Sequence, residues 1–226
     1  NHGLQNEAAH FAPYEVGTTA VTLDAVTPID SGTYNVSELA DANYTATFSG
    51  DCNDQGSITI TPGSAKSCII TNEEKPSDIT VKKVVINHGG SATTTSFGPY
   101  TIDGMTVDLD SASTTNSGSH TIAEANPDSS HYTQTFSADC PDGVVSLGSD
   151  EHKTCTITNT EKPAKLIVDK IVTNNSGGSL LAENVPLFVD ASSVTTGAEN
   201  TFDSGTHVVS ETNPAGYTAT FSGACD

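Results

Sequence analysis

A lysine set among aliphatic side chains on one face of a β-strand must be paired, lifted to the rim, or chemically used. Side chains two apart in a strand share a face. That rule groups Lys83 with Ile79, Val81 and Val85, and groups Lys170 with Leu166, Val168 and Val172. A second strand gives Tyr34–Val36–Glu38, His120–Ile122–Glu124 and His207–Val209–Glu211, which puts a glutamate on an apolar face. A third gives Cys68–Ile70–Asn72 and Cys155–Ile157–Asn159, which sets an asparagine on a cysteine's face. Burying a lone ammonium or carboxylate costs several kcal/mol, so such groups persist only when paired or chemically changed. A desolvated lysine becomes a neutral amine, a nucleophile, and a desolvated carboxyl group keeps its proton. Amine, acid and amide together could form a Lys–Asn isopeptide bond with loss of ammonia. The same residues could equally form a hydrogen-bonded Lys–Glu pair, or the lysine could snorkel to the edge of its sheet.

These residues recur because the chain repeats. "YTATFSG" at Tyr44 returns as "YTQTFSA" at Tyr132 and "YTATFSG" at Tyr217, at spacings of 88 (132 − 44) and 85 (217 − 132). Units of that size can bury their own cores, which makes them tandem domains rather than solenoid turns. "EEKPSD" and "TEKPAK" combine charge and proline between apolar runs, as short stiff linkers do. The expected domains are therefore 1–75, 76–162 and 163–226. The first lacks a counterpart of the opening strand "ITVKKVVI", since its "NHG" (1–3) matches 87–89. The third lacks a counterpart of "TCTITN". The expectation is a window on a longer array, or end units completed by strands of adjoining subunits.

Segments such as "SITITP", "CTITN" and "TVKKVVI" alternate polar with β-branched residues at the two-residue period of half-buried strands. Gly, Asn, Asp and Pro cluster between them. The expected class is all-β, a row of immunoglobulin-like or transthyretin-like sandwiches. Cys52 and Cys68 recur as Cys140 and Cys155 at nearly equal separation, which favours two disulfides over buried thiols. Closing loops of that size contributes roughly 3 kcal/mol each in the chain-entropy view. Disulfides imply an oxidising, extracytoplasmic setting. Cys225 is left unpaired in this segment.

Charge excludes several functions. Twenty-eight acidic and eight basic residues give a formal net charge of −20, which repels nucleic acid and anionic membrane. No apolar run approaches the ~18–20 residues that a spanning helix needs. The histidines form no HExxH motif or close His/Cys cluster, so no zinc or other cofactor is expected. The loops "DCNDQG" and "DCPDG" could hold a surface calcium, although Pro62 stands where an EF-hand would place its glutamate. No GxSxG, P-loop or GxGxxG occurs, and no enzymatic activity is expected.

Lysine in the first strand, "SETNPAGY" (210–217) before a strand, and asparagine in the closing strand resemble the B-type repeat domains of collagen-binding adhesins and Gram-positive pilins. The whole chain is similar to the cysteine-containing prealbumin-like repeats of prokaryotic surface proteins. That resemblance implies a prealbumin-like fold and an intramolecular Lys–Asn bond. By position it implies Lys83 as nucleophile, Glu124 as proton shuttle and Asn159 as electrophile. The first unit keeps Glu38 and Asn72, and the third keeps Lys170 and Glu211. The leading expectation is a non-enzymatic shaft of an extracellular fibre, pilus-like filament or surface stalk. Its partners would be further repeats or neighbouring subunits, joined by strand complementation. The alternative is an adhesin that binds a glycan or protein through its loops.

Overall fold

The computed structural model describes residues 7–225 and is all-β, built as tandem β-sandwiches. Its packing divides into two compact units: residues up to 83 with 99–125 and 136–157, and residues 84–98 with 126–135 and 158 onward.

In the first unit, β1 (Tyr14–Val16), β2 (Thr19–Val21), β3 (Gly32–Ser37) and β5 (Ser57–Ile60) form a sheet of order β2-β1-β3-β5. A separate ribbon pairs β4 (Tyr44–Gly50) with β6 (Cys68–Glu74), in register from Tyr44↔Glu74 to Gly50↔Cys68. Between them lie Val36, Cys52 and Ile58 with the partly buried Phe48 and Cys68, and Phe11 packs edge-on against Tyr44. The same unit contains most of the second repeat. There β13 (Val144–Leu147), β11 (Gly118–Glu124), β8 (Tyr100–Ile102) and β9 (Met105–Val107) form one sheet, in the order β13-β11-β8-β9. The repeat's other sheet, of order β10-β7-β14-β12 from β10 (Ala112–Thr115), β7 (Ser77–Ile86), β14 (His152–Glu161) and β12 (Tyr132–Phe136), is not confined to this unit: residues 132–135 of β12 and the ends of β7 and β14 beyond residues 83 and 157 belong to the other. Ile79, Val81 and Ile157 of this sheet and Ile102, Ile122, Val145 and Leu147 of the first are all buried. The alternation expected of β7 holds: Ile79 and Val81 are buried, the Lys83 side chain has no exposure, Val85 is half-buried, and Lys82 and Val84 are exposed.

The second unit holds β15 (Ala164–Ile167), paired with β18 (Glu199–Phe202), and a sheet of β17 (Ser192–Val194), β16 (Leu187–Val189) and β19 (Val209–Glu211). Val185, Leu187, Val189 and Val194 form its core, against which Leu166, Val168 and Val209 pack. The β8–β9 hairpin turns through Asp103 and Gly104 at φ 51° and 81°, the left-handed backbone that two-residue hairpins require. Asp190 stands at φ 53° in the two-residue turn from β16 into β17. No helix among the described residues is long and apolar enough to cross a membrane.

One expectation fails in the third repeat. "YTATFSG" forms β4 in the first copy and its counterpart forms β12 in the second, but residues 217–223 form no strand. A strand takes its hydrogen bonds from a neighbour. β4 has β6, and β12 has β14, whereas residues 217–223 have no strand paired beside them among the described residues. Phe221 of this copy is 51% exposed, whereas Phe48 packs partly buried against the core of the first repeat.

Candidate functional site

Strand alternation carries Lys83 inward from β7, and Glu124 ends β11 opposite Tyr100 of β8. Their side chains meet at 2.6 Å from Nζ to Oε2, and neither has any solvent exposure. Burial pushes the lysine's pKa below its ordinary value, and the hydrogen bond and charge of Glu124 oppose that shift. Burial, followed by the glutamate's negative charge, pushes the Tyr100 hydroxyl up to about 12. Asn159 is fully buried on β14, which lies next to β7 in its sheet. A dry lysine with a weakened hold on its proton and a carboxylate in hydrogen-bond contact is the arrangement that amine activation needs.

The partial sets are also assembled within their own repeats. Asn72 Nδ2 donates to Glu38 Oε2 at 3.1 Å in the first. In the third, Lys170 Nζ lies 2.5 Å from Glu211 Oε2, with side chains 18% and 7% exposed. Disulfides join Cys52 to Cys68 and Cys140 to Cys155, with Cα–Cα distances of 5.3 and 5.5 Å. Cys225 is a free, half-buried thiol. In the acidic loop "DCNDQG", Asp51 is already engaged by Lys66 Nζ at 2.8 Å and the Ser67 amide at 2.9 Å.

Sequence reasoning missed a brace at the start of the strand that carries each glutamate. His120 Nδ1 lies 2.7 Å from Asp103 Oδ2 and its Nε2 lies 2.9 Å from the Asn116 carbonyl. His207 repeats this with Asp190 at 2.8 Å and the Asp203 carbonyl at 2.8 Å. In the first repeat the Tyr34 hydroxyl donates to the Asp30 carbonyl at 3.0 Å. The available signal was "DSGTY", "NSGSH" and "DSGTH", an aromatic donor four residues after the acceptor. Both His207 ring nitrogens face acceptors, which only the imidazolium satisfies together.

The His207 pKa is raised by its bond to Asp190 and then by the Asp203 carbonyl; the Asp190 carboxyl is lowered by His207 and the Val208 amide. A raised histidine stabilises below its unfolded value of 6.5 and loses that contribution as pH rises through the folded value. A lowered aspartate stabilises above 3.8 and loses its contribution as pH falls through the folded value. The brace should therefore contribute most between 3.8 and 6.5. NMR titration should place the His207 pKa above 6.5, and Asp190→Asn should bring it down; an unchanged value in that variant would contradict the brace.

No curated protein matches the chain at a significant level. Residues 161–225, the stretch of the third repeat, match the SpaA-type family model described as a prealbumin-like fold domain.

Proposed function

We propose that this chain is a stretch of the shaft of an extracellular fibre, pilus-like filament or surface stalk. It acts mechanically and turns over no substrate. The supporting observation is that covalent and ionic fastenings recur at corresponding places: a disulfide in each of the first two repeats, and a buried or half-buried glutamate pairing in all three. Prealbumin-like domains of the SpaA type fit a pilin or surface-protein module, and disulfides fit an oxidising exterior. In this reading the third copy, residues 217–221, takes its strand partner from further repeats or a neighbouring subunit. Electron microscopy of the native material should show a regular filament or stalk. Separate particles with an isolated ligand-binding head would overturn the reading.

We further propose that Lys83 and Asn159 become joined. Neutral Lys83 Nζ attacks Asn159 Cγ, a C–N amide bond forms, the Cγ–Nδ2 bond breaks and ammonia leaves. Glu124 takes the proton from the amine and passes it to the leaving nitrogen. Intact mass should then fall short of the sequence mass by one ammonia beyond the hydrogens lost to the disulfides. Glu124→Ala should restore that ammonia. A full mass in the wild-type chain, with Lys83 open to amine labelling after unfolding, would leave only the ion pair.

A further inference from the structure

The residue that ends the strand leading into each proline joint is a buried glutamate. Glu74 of "EEKP" has no solvent exposure and Glu161 of "TEKP" is 9% exposed. Each accepts a hydrogen bond from the serine of a Ser-Gly turn in the repeat that follows. Ser117 Oγ reaches Glu74 Oε1 at 2.9 Å, and Ser204 Oγ reaches Glu161 Oε1 at 2.7 Å. The two contacts span 43 residues of sequence in both cases, so they are one feature occurring twice.

At the second joint the glutamate is also held from its own repeat. The amides of His88 and Gly90 donate to Glu161 Oε2 at 2.5 and 2.9 Å. The following turn meets the same loop, where the Ser204 amide donates to the His88 carbonyl at 2.5 Å. A Cβ on Gly90 would lie 2.6 Å from Glu161 Oε1, and one on Gly89 would lie 1.8 Å from the Ser204 carbonyl oxygen. Only glycine permits this approach. Ser204, then the Gly90 and His88 amides, hold the Glu161 carboxyl below its usual range, which keeps it an anionic acceptor.

We infer that the Ser-Gly turn of the second and third repeats is a docking face whose partner is the carboxylate of the Glu-Lys-Pro joint immediately before it. At the second joint one repeat's glycine loop aims the carboxylate, and at both joints the next repeat's serine donates to it. The histidine brace stands behind the receiving turn, since His120 and His207 bond the carbonyl of the residue just before each serine. The first repeat carries the same turn, Ser31-Gly32, with Tyr34 as its brace. This assignment does not depend on what the chain serves outside the cell.

The test uses the full chain and an endopeptidase that cuts after glutamate, under native conditions. A docked glutamate resists cleavage until the joint opens, and losing a hydrogen bond to a charged group raises the open population about tenfold or more. Ser204→Ala should speed cleavage between Glu161 and Lys162 by about that factor while leaving the bond after Glu74 unchanged. Ser117→Ala should do the reverse. Ser204→Thr, which keeps the hydroxyl, should retain protection. Amide exchange at His88 and Gly90 should accelerate in Ser204→Ala and in Glu161→Gln. Equal cleavage rates in wild type and Ser204→Ala, or both joints loosening together in either serine variant, would overturn the assignment.

Discussion

Glu124→Gln will destabilise the second repeat by about 3–5 kcal/mol at neutral pH, the cost of stranding one member of a buried ion pair. The reason is local. Lys83 has no exposed side-chain surface, and Glu124 is the carboxylate within 2.6 Å of its nitrogen. Without that charge Lys83 loses the glutamate's opposition to burial, and its folded-state pKa falls further. The unfolded chain then binds the extra proton, so stability rises with pH and the variant's deficit shrinks as the solution becomes alkaline. Replacing both members with apolar residues, as in Lys83→Met with Glu124→Leu, should recover most of the loss, because desolvation largely cancels the attraction. Chemical denaturation across pH reads both effects. A flat pH dependence in Glu124→Gln would show that Lys83 finds another acceptor or is already acylated, and the intact mass of the same sample separates those two outcomes.

Removing a disulfide has an effect of similar size. Cys140→Ala with Cys155→Ala frees a loop of 15 residues, and the corresponding pair in the first repeat closes 16. The chain-entropy model gives roughly 3 kcal/mol for either, and denaturant midpoints should fall accordingly. The two should differ in accessibility. Cys140 and Cys155 have no exposure, whereas Cys52 is 9% exposed and Cys68 is half-buried. Thiol–disulfide exchange needs a sulfur that the attacking thiolate can reach. A mild reductant without denaturant should therefore open Cys52–Cys68 first, as peptide mapping of alkylated samples would show. Opening of Cys140–Cys155 first would contradict that order.

Much of this was legible from side-chain alternation. Lys83, Glu124 and Asn159 were found as polar residues out of phase with their strands, and all three are buried. The cysteine pairs were legible because their spacing recurs, and the sandwich class because strand and turn chemistry agree along the chain. The brace was not legible in the same way. His120 read as an isolated ring, since its partners Asp103 and Asn116 come from a hairpin turn and a loop whose approach no periodicity encodes. Glu74 and Glu161 read as solvated linker charge because composition around proline says nothing of burial. Their repetition in "EKP", beside a repeated Ser-Gly, was the one trace of the joint. The missing third strand shows the opposite limit. Residues 217–223 have the pattern of a strand, but pattern specifies only a readiness to pair.

That conditional strand bears on the order of synthesis. A chain that emerges amino end first presents Tyr44–Gly50 before Cys68–Glu74 exists, and Tyr132–Phe136 before His152–Glu161. Each repeat therefore spends an interval with its aromatic strand made and its backbone donors uncommitted. The cysteines follow the same timetable, because Cys52 and Cys140 arrive ahead of Cys68 and Cys155, and each thiol must wait reduced for its partner. Closing strand and second cysteine lie on one segment, so a single length of newly made chain both zips the ribbon and delivers the sulfur that seals it. Maturation would then advance repeat by repeat behind the exit pore, like a ratchet that clicks once per closing segment.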